Sequence, residues 1–394
     1  MRLTPAEARP ASRRVSVGTL AVVELLSWGT LYYAYPVAAP RISDSTGWSH
    51  GLLAAVYSLS LVSAAVAGLV LGRLTDRAGD LRKVMPWCTA VGCGGLVLST
   101  TGGLATFVVG WALVGVAQAG TLWGPAFIAI TRWFEGTSGA WPMTVITAVG
   151  GSASLVFAPV VAQLTQGLGW RDTFVFLAIG YGAIAIPVQL LGLRATWHAP
   201  AEQEPQPRDR SVRSVVRHPR FLLLQLCMFL SGVALFSVTL NAVNLAVEKG
   251  ADYTAAAFIF GLVGLGQVLG RLLFTSLKVS AHPWVQTRAL MIAAALVLAA
   301  VAASPPVVLL ALAAVLAGAV RGSHTLLMRN GVLDRWGTGD FGAVMSWFNL
   351  PVALGIALSP LIGAALASAT GSFTSAALVA AAVALAGSAV ARRT

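Results

Sequence analysis

Three charged side chains lie inside long apolar stretches of this sequence: Glu24, Arg271 and Arg321. A charge in such surroundings is costly unless it faces water, a partner or a ligand, so it is usually kept for function. A buried carboxylate can exchange a proton, and a guanidinium presents a planar fork that matches a carboxylate. The residue types therefore point first to proton exchange and to the binding of an organic anion.

Glu24 begins a series of residues on one helical face. Trp28, Tyr32 and Tyr35 follow it at spacings of three and four, which predicts one carboxylate and three aromatic rings on the same side of a helix. Such a face suits a wet cavity, with the aromatic residues as substrate contacts and Glu24 as the proton-linked group. The alternative is that Glu24 pairs with an arginine or is solvated near the inner interface.

Arg271 shares a predicted face with Gln267, and we expect both to contact the substrate. The alternative for Arg271 is a position near the cytoplasmic end of its helix, where the side chain would reach the headgroups. Arg321, with His324 one turn further on, is expected nearer the inner end as part of a cytoplasmic gate. Trp347 and Asn349 are further candidates for substrate contact.

Composition identifies the class of chain. Of 394 residues, 57% are hydrophobic and only 10% are charged, so the chain is too apolar for a soluble globular protein. Most of the 26 Lys and Arg residues fall in segments predicted to be cytoplasmic. The net charge of +12 therefore indicates membrane orientation rather than nucleic-acid binding.

Motifs for several other kinds of protein are missing from the sequence. The 3 cysteines lie in apolar runs without metal or redox spacing, and there is no phosphate-binding loop or nucleophile motif. We expect no cofactor, no metal and no enzymatic activity.

Apolar runs bounded by charges, Gly or Pro predict an all-α membrane protein with twelve transmembrane helices and both termini in the cytoplasm. The predicted spans are 17–40, 50–72, 84–103, 105–130, 140–166, 173–195, 219–246, 252–277, 285–303, 306–328, 342–368 and 372–391.

Residues 197–218 are rich in Pro, Glu and Arg and predict a flexible or surface-lying cytoplasmic linker between two halves, 1–196 and 219–394. The halves repeat each other. Arg132-Trp133 recurs as Arg335-Trp336, and Gly72-Arg73-Leu74 recurs as Gly270-Arg271-Leu272, at nearly equal offsets. This predicts two pseudo-symmetric six-helix bundles.

The loop at 72–83 reads GRLTDRAGDLRK. This pattern resembles the signature between helices two and three of the major facilitator superfamily, although Asp80 stands where the family usually has a basic residue. The resemblance implies the major facilitator fold and an inner latch in which the carboxylate of Asp76 meets basic residues. The implied cytoplasmic gate consists of Gly72, Asp76, Arg77 and Gly79, and Arg321 is added to it by its expected position near the inner end of its helix.

Residues 131–179, from Thr131-Arg132-Trp133-Phe134 past Gly169-Trp170-Arg171, resemble the monocarboxylate porter and oxalate/formate antiporter branch of that family. Gly47-Trp48-Ser49 fits the same branch. The resemblance implies that Arg271 binds the substrate carboxylate, although Gln267 stands where animal members have an acidic residue.

We therefore expect an inner-membrane secondary transporter of a small, monocarboxylate-like organic anion, proton-coupled or exchanging, working by alternating access as a monomer. Its expected partners are the substrate, protons and the lipid bilayer, and no nucleic acid. One alternative is an exporter of hydrophobic or cationic drugs by proton antiport. Another is a non-transporting membrane sensor or assembly factor.

Overall fold

The computed structural model describes residues 9–134, 139–198, 210–276, 282–304, 307–337 and 341–394. All regular structure within these ranges is helical, which confirms the predicted all-α class. Within the same ranges, 10 segments are long and apolar enough to span a membrane. The difference from the twelve predicted spans has two local causes.

The first cause is a bend, and the second is a short helix. The segment Trp141–Gly192 contains two predicted spans, joined where Gly169 takes a φ of 79°, a conformation that favours glycine. The helix Met85–Thr100 has 16 residues, so it falls short of the usual spanning length although it lies at a predicted span. With these two included, the described helices agree with the predicted twelve-helix architecture.

The chain divides into two compact units. The first unit comprises Met1–Gly47 and Leu59–Glu202. A π-helical turn, Trp28–Tyr33, joins its first two helices. Its helices are α1 Arg9–Ser27, α2 Ala34–Thr46, most of α3 His50–Ala78, α4 Met85–Thr100, α5 Leu104–Thr121, α6 Trp123–Trp133, α7 Ala140–Gly151 and α8 Ala153–Gly192.

The second unit comprises Trp48–Ser58, which includes the start of α3, and Gln203–Thr394. Its helices are α9 Arg210–Val216, α10 Pro219–Thr239, α11 Ala242–Glu248, α12 Tyr253–Ser276, α13 Pro283–Ala303, α14 Val307–Trp336, α15 Phe341–Thr370 and α16 Phe373–Val390. The predicted domain boundaries at 196 and 219 remain a prediction.

Local sequence sets several helix ends. Gly47 closes α2 with a φ of 72°, and its N–H donates to the Ser43 carbonyl oxygen. Ser372 starts α16 by accepting a hydrogen bond from the Ser375 N–H. Pro219 occupies the first turn of α10, where its missing N–H has no intrahelical partner to lose.

Each unit has its own apolar core, and the helices also carry apolar residues outward. In the first unit, Leu20, Ile130 and Trp133 are buried in one cluster. In the second, Phe221, Leu327 and Phe348 are buried in another. Large exposed residues include Leu191 and Leu296, as expected for helices whose outer surface faces hydrocarbon.

Helices α12 and α14 pack backbone to backbone in the second unit. Each carries two glycines four residues apart, Gly266 and Gly270 on α12, Gly318 and Gly322 on α14. A β-carbon on Gly318 would overlap the Val263 carbonyl group, and the other three positions are equally close to the facing backbone. This small-xxx-small arrangement lets two membrane helices approach closely.

Part of the predicted linker is helical. Residues 199–209 lie outside the described part of the chain, but Arg210–Val216 form α9. Val212, Val215 and Val216 of this helix pack against the core of the second unit. Their spacing of three and four residues marks an apolar helical face that composition alone does not reveal.

Candidate functional site

The predicted site residues divide between the two units. In the first unit, the side chain of Glu24 on α1 is fully buried. Its Oε2 accepts a hydrogen bond of 2.8 Å from Trp28 Nε1, four residues on. Its Oε1 has no hydrogen-bond partner among the described residues. Glu24 thus keeps an open acceptor position in an apolar interior.

Further aromatic rings pack on Trp28, the hydrogen-bond donor to this carboxylate. The Trp28 ring lies 4.7 Å from that of Trp123 and 4.8 Å from that of Tyr32, centroid to centroid. Helix α7 comes close because Gly150 has no side chain: a β-carbon there would lie 3.3 Å from Trp28 Cδ1 and 3.5 Å from Glu24 Cβ. The arrangement could hold a proton or a cationic group.

The structure corrects the predicted position of Tyr35. Its ring lies 4.3 Å from that of Trp111 in a T-shaped contact, in the core beside α5. Tyr33 instead contacts Trp28 and Tyr32, at 5.9 and 5.0 Å. The cause is the π-helical turn, which changes the periodicity between Trp28 and Tyr33 so that α-helical spacing no longer predicts the face.

In the second unit, Arg321 on α14 is only 2% exposed. Its Nη1 donates to Thr239 Oγ1 at 3.1 Å, and its guanidinium carbon lies 3.9 Å from the centroid of the Phe236 ring. Its Nε has no hydrogen-bond partner, and no carboxylate of the described residues forms an ion pair with it. A buried guanidinium without a counter-ion is costly, so its presence requires a reason.

Where α12 and α14 meet, two more buried polar side chains, those of His324 and Gln267, each have one atom without a hydrogen-bond partner among the described residues. His324 Nε2 is hydrogen-bonded to the Met228 carbonyl oxygen at 3.0 Å, and its Nδ1 has no partner. Gln267 on α12 is 3% exposed, and its Oε1 has none either. Gly322 on α14 packs directly on the Gln267 backbone, so the two helices meet at this level.

The remaining predicted contacts in the second unit are more exposed. Arg271 is half-buried near the end of α12, which stops at Ser276. Trp347 on α15 is 60% exposed, and Asn349 is half-buried with its Oδ1 without a hydrogen-bond partner among the described residues. Their roles in substrate binding remain predictions.

An ion pair ties α3 to α6 in the first unit. Arg132 Nε donates to Asp76 Oδ1, and Arg132 Nη2 donates to Asp76 Oδ2, both at 2.9 Å. The two parallel bonds form the fork geometry that favours arginine over lysine. Arg77 is exposed, and a β-carbon added to Gly72 would meet no atom closer than 4.0 Å. The gate assignment of these residues stays a prediction.

Asp80 follows Gly79, whose φ is 64°, and it organises the next turn. Its carboxylate accepts from the Arg82 N–H at 2.9 Å and from Arg82 Nη2 at 2.7 Å. Burial raises the pKa of Asp80, but the hydrogen bonds and charge of Arg82 outweigh it, so the pKa lies below its ordinary value. Asp80 therefore caps the short 3-10 helix Leu81–Lys83.

The sequence repeat does not preserve the ion pair. Arg335 matches Arg132, yet it donates to Thr287 Oγ1 and to Thr394 Oγ1, each at 3.2 Å. Phe274 occupies the position that matches Asp76. The carboxylate–guanidinium fork therefore belongs to the first unit within the described chain.

Replacing Asp76 by Ala should lower the transport rate several-fold while costing about 1 kcal/mol of stability or less, since the pair is partly exposed. The charge-reversed double variant, Asp76→Arg with Arg132→Asp, should recover part of the rate. Initial uptake rates and thermal midpoints check both. The control is Arg73→Gln, which removes an exposed charge from the same helix. Equal rates for wild type and Asp76→Ala would contradict a latch.

Comparison with known proteins identifies the class of protein to which this chain belongs. Residues 20–307 match the sequence profile of the Major Facilitator Superfamily. The chain belongs to this family and is a multi-pass membrane protein of the transporter class. No curated protein sequence matches it.

Solved structures agree on the fold. The nucleoside transporter NupG, as a mutant, superposes with a TM-score of 0.77 at 14% identity, covering 96% of this chain and 98% of that one. A bacterial homolog of the human lysosomal transporter Spinster gives 0.70 at 15% identity, covering 97% and 95%. A POT family transporter in complex with a conjugated peptide gives 0.74 at 12%, covering 95% and 94%. At these identities the likeness shows the fold alone.

Proposed function

We propose that this chain is a secondary transporter that moves a small organic anion, such as a monocarboxylate, by alternating access. The observation that carries the proposal is Arg321: a buried guanidinium with no carboxylate paired to it among the described residues. An anionic substrate would supply the missing counter-charge. The family supports transport, and this arginine supports the charge of the substrate.

The charge balance around Arg321 favours an anion. The helices packed against α14 are α10, α12, α13 and α15. None of these four contains an Asp or Glu. Arg271 on α12 adds a second guanidinium to the same unit. A guanidinium fork of N–H donors matches the geometry of a carboxylate, so a substrate with one carboxylate fits this unit.

The finer features of the proposal come from the sequence. The excess of Lys and Arg in the predicted cytoplasmic segments favours an inner-membrane location with both termini in the cytoplasm. Drive by protons or by exchange follows from the resemblance to the monocarboxylate branch, as does Arg271 as a substrate contact. The role of Glu24 as a proton-linked group, which rests on its carboxylate within an aromatic helical face, stays a prediction. We propose a monomer as the working unit.

A second candidate function is export of hydrophobic or cationic compounds. The observation that favours it is Glu24, which is buried, has an open Oε1 and lies beside Trp28. A carboxylate next to a cluster of aromatic rings attracts organic cations through charge and through the ring faces. The two functions differ in the charge of the ligand.

Competition in proteoliposomes separates these functions. Purified protein is reconstituted, loaded with lactate, and assayed for exchange uptake of labelled lactate against unlabelled acids and lipophilic cations. We expect acids to compete and cations such as tetraphenylphosphonium not to compete. One result would contradict the proposal and support the exporter: wild type takes up the cation but neither lactate nor other small acids, and Glu24→Gln abolishes the cation uptake.

A further inference from the structure

His324 and Arg321 lie on one face of α14, three residues apart. The His324 ring is fully buried, and Arg321 is 2% exposed. Residues at this spacing are neighbours on a helix surface. The membrane interior therefore holds a titratable imidazole one turn from a fixed positive charge.

The hydrogen bond of His324 defines which nitrogen is free. Nε2 lies 3.0 Å from the Met228 carbonyl oxygen. Because a carbonyl oxygen can only accept, Nε2 carries the hydrogen, and in the neutral ring Nδ1 is an acceptor. Nδ1 has no partner among the described residues. His324 thus offers a buried lone pair that can take one proton.

Close packing holds the ring in place. A β-carbon on Gly232 of α10 would lie 3.4 Å from His324 Cε1 and Nε2, so α10 approaches the ring edge directly. Gly322 of the same helix packs on the backbone of α12. The hydrogen bond to the Met228 carbonyl oxygen holds Nε2 against α10, so Nδ1 is the proton-accepting atom.

The ionisable groups around His324 are mostly cationic. The helices packed on α14 carry no carboxylate. On α14 itself the one acid is Asp334, near the far end of the helix. The other ionisable groups on these elements are Arg220 and Cys227 on α10, Tyr253 and Arg271 on α12, Arg288 on α13, and Arg321, Arg329 and Arg335 on α14.

This distribution links the proton to the substrate. A second positive charge one turn from Arg321 is unfavourable while the site is empty, and it becomes favourable once an anion is bound there. Resting on the organic-anion function above, we propose that His324 Nδ1 takes up the co-transported proton when Arg321 holds the substrate carboxylate. One Nδ1–H bond forms with a hydronium proton from the aqueous phase; when the anion leaves, that bond breaks and the proton returns to water.

Such coupling is reciprocal. If bound anion favours the imidazolium, the imidazolium favours bound anion by the same factor. Anion affinity should therefore rise as the pH falls through the range in which His324 titrates. Replacing His324 should remove this dependence of anion affinity on pH.

The test measures protons directly. Lactate, whose carboxyl is ionised near neutral pH, is added to purified protein in weakly buffered detergent, and proton uptake is recorded with lactate binding. We expect about one proton per lactate in wild type. We expect at least a tenfold smaller uptake in His324→Gln, which keeps an N–H donor for Met228 but cannot titrate. The control is His282→Gln, an exposed histidine whose loss should change nothing.

The outcomes are distinct. Proton uptake that persists in His324→Gln, or that is lost in Glu24→Gln instead, overturns this inference while leaving anion transport in place. Absence of any carboxylate binding by wild type overturns the proposed function as well.

Nitrogen-15 spectra of histidine-labelled wild type give a second readout, which does not depend on whether a substituted protein folds. We expect one neutral ring with hydrogen on Nε2 that becomes an imidazolium when lactate binds. A ring that is already charged without ligand, or unchanged with bound lactate, overturns the inference.

Discussion

Replacing Arg321 by Gln should reduce lactate uptake by about a hundredfold, because removing one partner of a buried charge pair costs about 3 kcal/mol. Arg321→Lys should recover little, since an ammonium lacks the planar fork and cannot reproduce the contacts with Thr239 and Phe236. Initial uptake rates in proteoliposomes at matched protein content measure both.

Stability distinguishes a ligand-binding arginine from a structural one. Because Arg321 is buried without an ion-pair partner among the described residues, Arg321→Gln should leave the thermal midpoint unchanged or higher. Arg329→Gln is the matched control, an exposed arginine on the same helix, and should transport normally. Wild-type uptake in Arg321→Gln, or a large loss of stability, would contradict the anion-binding role.

Replacing Gly318 by Ala should cost about 3 kcal/mol, because the new methyl group would overlap the Val263 carbonyl group and force α12 from α14. The loss should appear although alanine is the better helix former by about 1 kcal/mol. Thermal midpoints and the fraction of monodisperse protein measure it. Uptake should fall as well, since this packing positions Arg321 and Gln267.

Gly342→Ala provides the comparison for this prediction. Gly342 lies on α15 in the same unit, and a β-carbon there would meet no atom within 4 Å. This variant should be as stable as wild type. Equal stability of the Gly318→Ala and Gly342→Ala variants would show that the backbone contact between α12 and α14 contributes little.

The positions of the helices follow from hydropathy. For example, the predicted spans 252–277 and 285–303 correspond closely to α12 and α13. The membrane requires about 20 apolar residues per span, so composition alone locates each one. The same rule cannot locate α9, which is short and amphipathic and packs against the apolar core of the second unit.

Side-chain faces were harder to predict than helices. The predicted face assumes an α-helical period through the π-helical turn, whereas the Tyr35 ring packs on Trp111; substrate contact by Tyr35 stays a prediction. Nothing in the Trp28–Tyr33 segment marks that turn in advance. A π-helical turn is rare and occurs mostly as a single turn inside an α-helix, so the sequence alone favours the α-helical period.

The degree of burial, which the structure gives and the sequence does not, distinguishes Arg321 from Arg271 as the candidate anion contact. The sequence favours Arg271 as the anion contact, by resemblance, whereas the structure shows Arg321 as the more deeply buried guanidinium. A signal was present, since Gly318 and Gly322 flank Arg321 in a small-xxx-small pattern that marks a helix–helix contact. Which residues face that contact depends on the partner helix, and this pairing emerges only in the fold.

Calorimetric titration of purified protein with lactate and with its neutral amide, lactamide, tests the central claim most directly. The two ligands share their shape and differ in charge. If a buried guanidinium binds the substrate carboxylate, lactate binds to wild type, lactamide does not, and Arg321→Gln binds neither. Equal binding of both ligands, or lactate binding that survives the loss of Arg321, would contradict the account.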